Sequence, residues 1–165
     1  MTYHIEPARA DSDFASIQKV YYETWLSAYR DLIPEAALKQ LTPAIWRPER
    51  HWRNMLLAVT AAGEIIGVCT YGPARNAVYA GWGELYSLYV RPAYQHDGVG
   101  HQLITRALQQ LHADFSQIYL LVLANNDTAQ QFYRQHGFRD TGRQYVDQAP
   151  FGTLHERIFI MSFKR

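Results

Sequence analysis

Apolar positions along the chain change period several times, and each change marks an element. A short run at residues 3–7 reads as a first strand. Phe14, Ile17, Tyr21, Trp25 and Ala28 then recur at helical spacing, with Asp11 or Asp13 placed to cap that helix. Pro34 suits the first turn of a short second helix, and residues 45–55 predict a third. Residues 56–60 and 64–71 flank Ala61-Ala62-Gly63 and read as a β-hairpin. Residues 72–81, with Pro73 and several alanines, form a loop.

The second half is more sharply patterned. Residues 83–90, Gly-Glu-Leu-Tyr-Ser-Leu-Tyr-Val, are apolar enough on both faces to sit centrally in a sheet. A turn at 91–97 leads into a helix over 98–113, with Val99, Leu103, Ala107, Leu108 and Leu111 on one face. Residues 118–124 form a buried strand. Strand, helix and strand in this order predict a parallel pair with a right-handed crossover. A further helix carries Ala129, Phe132, Tyr133 and His136 on one face, and Gly137 is placed to end it. Residues 138–146 and 155–163 give two closing strands. The class is a mixed α/β sheet of the α+β type, because not all strands can be parallel.

Composition narrows the function classes. The 165 residues suit one ordinary domain, 1–165, and neither repeat nor low-complexity tract divides them. A formal charge of +1 leaves no basic stripe for nucleic acid. The lone Cys69 excludes an internal disulfide and fits a reducing compartment. Residues 1–10 carry Glu6 and Arg9 and no long apolar run, so neither a signal peptide nor a membrane anchor is expected. The expected address is cytoplasmic.

Chemistry concentrates in Gln95-His96-Asp97-Gly98-Val99-Gly100, between the central strand and its helix. Glycines there let the backbone approach a ligand, and the helix start adds unpaired N–H groups and a positive dipole end. That describes an anion site. It is neither a P-loop, which would end in Gly-Lys-Ser/Thr, nor a dinucleotide loop, which needs a third glycine. Taken alone, a tight turn with glycines for geometry explains it equally well.

The loop has company. Gln-x-x-Gly-x-Gly follows a strand ending in Val-Arg-Pro, and about thirty residues later come Asn126-Asp127-Thr128-Ala129, Phe132-Tyr133 and Gly137-Phe138. This pair of motifs resembles the GCN5-related N-acetyltransferase family, most strongly over residues 83–138. The resemblance implies a central mixed sheet of about six to seven strands, a splayed parallel pair and about four flanking helices. It implies acetyl-CoA as cofactor, its pyrophosphate on the backbone of Gln95, His96, Asp97, Gly98, Val99 and Gly100. Leu88, Tyr89 and Val90 would meet the pantetheine arm as if it were an added strand. Asn126 would touch the cofactor, and Tyr133 would lie near its sulfur. His96 and Asp97 depart from the basic or small residues common in such loops, and Asp97 is unfavourable beside a pyrophosphate.

An amine attacks a thioester only when neutral, and a lysine-like amine has a pKa of roughly 10.4. A base must take a proton and a donor must meet the departing thiolate. Tyr133, a phenol protonated at neutral pH, is the candidate donor, with core packing as its other reading. Glu84 is the candidate base, since relatives carry a glutamate near this strand position; an exposed strand end is the alternative. Tyr86 is a candidate auxiliary group. Tyr29 and Trp82 are weaker candidates for the acceptor pocket, and the loop at 147–152 is its candidate second wall. No metal site is expected from His96, Asp97 and His101, and Cys69 lacks anything to lower its pKa.

The activity so implied is transfer of an acyl group, acetyl first among them, from coenzyme A to a primary amine in a ternary complex. The acceptor is a small molecule or peptide, with no nucleic acid and no membrane as partner and a homodimer left open. The alternative is a domain that binds acyl-CoA without turning it over.

Overall fold

The computed structural model describes residues 2–31, 33–149 and 152–163. Seven strands form one mixed sheet, in the order β1 (Tyr3–Pro7), β2 (Met55–Thr60), β3 (Ile65–Pro73), β4 (Gly83–Val90), β5 (Gln117–Leu123), β7 (Gly152–Ser162) and β6 (Arg139–Ala149). Contacts gather the chain into two units, one of Met1–Tyr71 with Ser87–Gln110 and one of Gly72–Tyr86 with Leu111–Arg165. No described helix is long and apolar enough to cross a membrane.

In the first unit, β1 (Tyr3–Pro7) pairs antiparallel with β2 (Met55–Thr60), which pairs antiparallel with β3 (Ile65–Pro73). Helix α1 (Phe14–Tyr29) is capped by Asp13, whose carboxylate accepts the Ser16 N–H at 3.1 Å. The helical stripe then does what its spacing requires. Ile17, Val20 and Tyr21 pack on Met55, Leu57, Val59 and Val68, and each such side chain stabilises the fold by about 1.5–3 kcal/mol when fully buried. Helix α2 (Glu35–Leu38) follows Pro34 as expected.

The helix expected over 45–55 is absent. Three 3₁₀ turns stand in its place, at Pro43–Ile45, Pro48–Arg50 and Trp52–Asn54. Pro48 is the physical reason: it disfavours the α region for Arg47, which sits at φ −125°, ψ 69°. The segment is tied down by side chains instead, with Gln18 Nε2 donating to the Trp46 carbonyl at 2.8 Å. The remainder of this unit is the end of β4 (Gly83–Val90) and most of α3 (Val99–Asp114).

In the second unit, the start of β4 runs parallel to β5 (Gln117–Leu123), as the crossover predicts. Their register covers Gly83↔Ile118, Glu84↔Tyr119 and Leu85↔Leu120 and goes no further, so Leu121 to Leu123 have no β4 partner. β5 is lined on its other side by β7 (Gly152–Ser162), antiparallel, and β7 by β6 (Arg139–Ala149). The two last strands are longer than the sequence predicts, so most of the expected 147–152 loop is hairpin strand; Pro150 and Phe151 lie outside the described residues. Helix α4 (Asp127–Gln135) ends before Gly137, whose φ of 95° suits glycine alone. The α4 side covers the β7 face that carries Phe159 and Met161: the Arg134 guanidinium lies 5.2 Å from the Phe159 ring centre, and a Cβ on Gly137 would meet the Met161 methyl at 3.0 Å. Tyr79, Tyr119 and Ile158 pack together on the opposite face.

Candidate acetyl-transfer site

The site residues of the first unit lie on the end of β4 and the loop after it. Arg91 fixes the strand end. Its N–H donates to the Ile66 carbonyl at 2.9 Å, and its guanidinium holds Glu23 at 2.8 Å and also pairs with Glu64. Glu64 takes a further hydrogen bond from the Tyr94 hydroxyl. Gln95 turns back along the chain, its side-chain amide donating to the Val90 carbonyl at 3.0 Å. The turn is therefore braced before the helix begins.

Gln95, His96, Asp97 and Gly98 are all exposed, and the backbone is left-handed at His96 (φ 75°) and at Gly98 (φ 79°). Such alternation gathers successive N–H groups into a concavity for an anion. Gly98 accepts the first helical bond, from Gln102 N at 3.1 Å, so the N–H groups of the first turn of α3 lack partners within the helix. A pyrophosphate fits this chemistry: backbone donors, a helix dipole and open access. His96 is informative because a non-glycine residue in this conformation is uncommon and costs energy. The Tyr89 side chain is turned to packing. Its hydroxyl accepts the Trp25 indole N–H at 3.0 Å and its ring packs on Tyr21, leaving only its backbone for a ligand. Tyr29 packs on Trp25 with the two rings tilted, 4.1 Å between centres, within the same aromatic group.

In the second unit, Glu84 is the centre of a built polar cluster. Its carboxylate is 2 % exposed. One oxygen accepts the Arg75 N–H at 2.9 Å and the Tyr119 hydroxyl at 2.6 Å; the other accepts the Arg75 guanidinium at 2.7 and 3.3 Å. Four donors occupy the four lone-pair directions of a carboxylate. A group so engaged has nothing left to take a proton from an amine, which counts against Glu84 as the base. Burial and this bond to Glu84 push the Tyr119 phenol well above its ordinary range. Arg75 also lies over the Tyr86 ring at 4.3 Å, and the Tyr86 hydroxyl donates to the Pro73 carbonyl at 2.5 Å. Trp82 packs edge-on against Tyr79 at 5.0 Å.

Asn126 caps α4, its side-chain oxygen accepting the Ala129 N–H at 3.2 Å. Tyr133 is half-buried on that helix, its ring edge-on to Phe132 and Phe138 at 5.5 and 6.0 Å. Cys69 is fully buried, and burial pushes its thiol far above the ordinary range, so it is an inert core residue. Sequence reasoning passed over Arg75 and Tyr119. Arg75 sits in a stretch read as loop, with no pattern to flag it. Tyr119 could have been found by aligning 83–85 against 118–120, which sets it opposite Glu84.

The profile of the Acetyltransferase (GNAT) family matches residues 15–138. An uncharacterized N-acetyltransferase of Bacillus subtilis (strain 168), YuaI, is 26% identical over 118 residues, covering 69% of this chain and 68% of its own. Among solved structures, the PaiA N-acetyltransferase of Thermoplasma acidophilum, in complex with coenzyme A, superposes with a TM-score of 0.75 at 19% identity, over 99% of this chain and 100% of that one. The yncA protein of Salmonella typhimurium, with its cofactor acetyl-CoA, gives 0.73 at 17% identity over 100% and 96%. At such identities the structures speak for the fold, while the profile covers well over half the chain and speaks for the family. The chain belongs to the GNAT acetyltransferase family and is an acyl-CoA-dependent N-acetyltransferase.

Proposed function

We propose that this enzyme moves acetyl from acetyl-CoA directly to the primary amine of a small molecule or peptide, with both reactants bound at once. The observation that carries the reading is the braced, left-handed turn at His96 and Gly98 where α3 begins. In this reading, backbone N–H groups from Gln95 to Gly100 hold the pyrophosphate, and the backbone of Leu88 to Val90 lies along the pantetheine arm. The thioester, when bound, supplies an activated acyl carbon. Tyr133 gives its phenolic proton to the departing sulfur, and the edge-on packing of its ring against Phe132 supports that role by fixing the direction of the phenol. Asn126 stands at the start of the same helix, where its amide can meet the cofactor without leaving its cap. Glu84 acts as a positioning residue: it holds Arg75 and, through Arg75, the ring of Tyr86, which with Trp82 forms one wall for the acceptor. The acceptor enters as a cation over that aromatic wall.

The test is thiol release from acetyl-CoA across a panel of primary amines, amino acids and short peptides. Amine-dependent release is expected. Tight acetyl-CoA binding with no release from any acceptor would favour a domain that senses acyl-CoA.

A further inference from the structure

With Glu84 fully engaged, the proton acceptor for the amine must be sought elsewhere in the second unit. We infer that Glu156, on β7, is the catalytic base that receives the proton of the acceptor amine. The assignment rests on the acetyl-transfer reading above and adds to it a residue that no sequence motif marks.

Three geometric facts carry it. First, Glu156 stands opposite Leu123, the last residue of β5, beyond the point where the β4–β5 ladder stops. The carboxyl ends of parallel strands are where open α/β sheets bind ligands. Second, alternation along β7 puts Glu156 on the face of Ile158 and Ile160, which pack with Tyr79 and Tyr119, the partner of Glu84. Phe159 and Met161, against α4, are on the other face. The acid candidate, Tyr133, is carried by α4, so base and acid come from different elements. Third, Glu156 is half-buried, and among the described residues no hydrogen bond or ion pair holds its carboxylate. That is the converse of Glu84.

The environment also tunes it. The groups acting on Glu156 are Asp147 from β6, Arg75 from the loop before β4, and Glu84 from β4; Tyr145 stands opposite it on β6 and Leu123 on β5. His155 and Arg157, its neighbours in sequence, point to the other face. Burial first, then the charge of Asp147, lift its pKa to about 7, with Arg75 opposing. A base with this value is half deprotonated at neutral pH, which suits a general base. The protons balance. Of the three on the ammonium nitrogen, one passes to Glu156 and on to water, one remains on the amide, and one restores the proton that Tyr133 gives to sulfur.

The experiment compares wild type with Glu156→Gln, using a primary amine of high pKa. In wild type, kcat/KM should rise with pH and level off above a midpoint of about 7. In Glu156→Gln the rate at pH 7 should fall about a hundredfold, and the plateau should vanish, the rate climbing instead with the neutral fraction of the amine. Acetyl-CoA affinity should stay within about twofold. A readout independent of turnover is the carboxyl-¹³C NMR titration of the free protein: one glutamate should titrate near 7 and its signal should be lost in the variant. Should Glu156→Gln fail to fold, Glu156→Asp assigns the signal, and an ordinary carboxylate midpoint for Glu156 overturns the inference. A folded Glu156→Gln with wild-type rate, or with a lower rate and the plateau kept, also overturns it. Wild type that releases no thiol with any amine defeats the acetyl-transfer reading itself, whereas release with a pH profile indifferent to residue 156 defeats only this assignment.

Discussion

The turn at 95–100 and the polar face around Glu84 and Glu156 solve different problems with different materials. The turn works through backbone. Residues 95–98 are exposed, its donors are N–H groups, and its shape comes from two left-handed residues, His96 and Gly98, two positions apart. The polar face works through side chains delivered by the loop before β4 and by β4, β5, β6 and β7, separated by as many as eighty positions in the chain. Binding a pyrophosphate, which every substrate pair shares, needs only local geometry. Handling one particular amine needs charge, aromatic surface and a tuned carboxylate, which local sequence cannot assemble. Substitutions should therefore act differently in the two places.

The largest effect is expected at Arg75. Arg75→Met leaves the Glu84 carboxylate buried with one backbone donor and one phenol. Breaking such a pair costs about 3–5 kcal/mol, and the low end applies because the Arg75 side chain is 61 % exposed. Denaturant unfolding should show a loss of about 3 kcal/mol. Because Arg75 lowers the pKa of Glu156, its removal should also move the acidic limb of the rate profile to higher pH.

Tyr133→Phe keeps the ring packing and removes the proton. Turnover should drop by roughly a hundredfold, about 2.7 kcal/mol, with acetyl-CoA affinity unchanged by calorimetry. Unaltered single-turnover rates would leave Tyr133 as a packing residue and place proton delivery in water.

In the turn, Gly98→Val forces a branched side chain into a left-handed conformation. Coenzyme A affinity should fall by at least about tenfold, or 1.4 kcal/mol, while kcat at saturation changes little. A drop in kcat with unchanged affinity would reverse the comparison between the two regions.

The smallest effect belongs to Asp97→Asn. At roughly 6 Å in a water-like dielectric, removing this charge from a phosphate relieves about 0.7 kcal/mol. Affinity should improve about threefold at low salt and converge with wild type at high salt. A much larger gain would mean that side chains, not backbone, dominate the turn.

Much of this was legible beforehand because it is local. The strand at Gly83–Val90 and the helix that follows needed only period and glycine placement, and the Asn126 cap needed only residue type. The helix expected at 45–55 misled because apolar spacing there outweighed Pro48, and the backbone obeyed the proline. The surroundings of Glu84 were out of reach of the sequence for a different reason. Strand alternation puts its side chain on a face, but says nothing of the arginine and phenol that meet it there.

The order of elements, the parallel pair, the glycine-bearing turn before α3 and the place of Tyr133 on its helix follow from the chain alone, since each depends on dihedral preferences and spacing within a few turns. Which carboxylate is free to take a proton was decided only in three dimensions. Glu84 and Glu156 are both acids on strands, alike in sequence terms. The fold brings Arg75 and Tyr119 to the first, filling its lone pairs, and brings Leu123, Tyr145 and Asp147 around the second, raising its pKa with no hydrogen bond to its oxygens among the described residues. A proton affinity is a sum over neighbours, and the neighbours are set by tertiary structure.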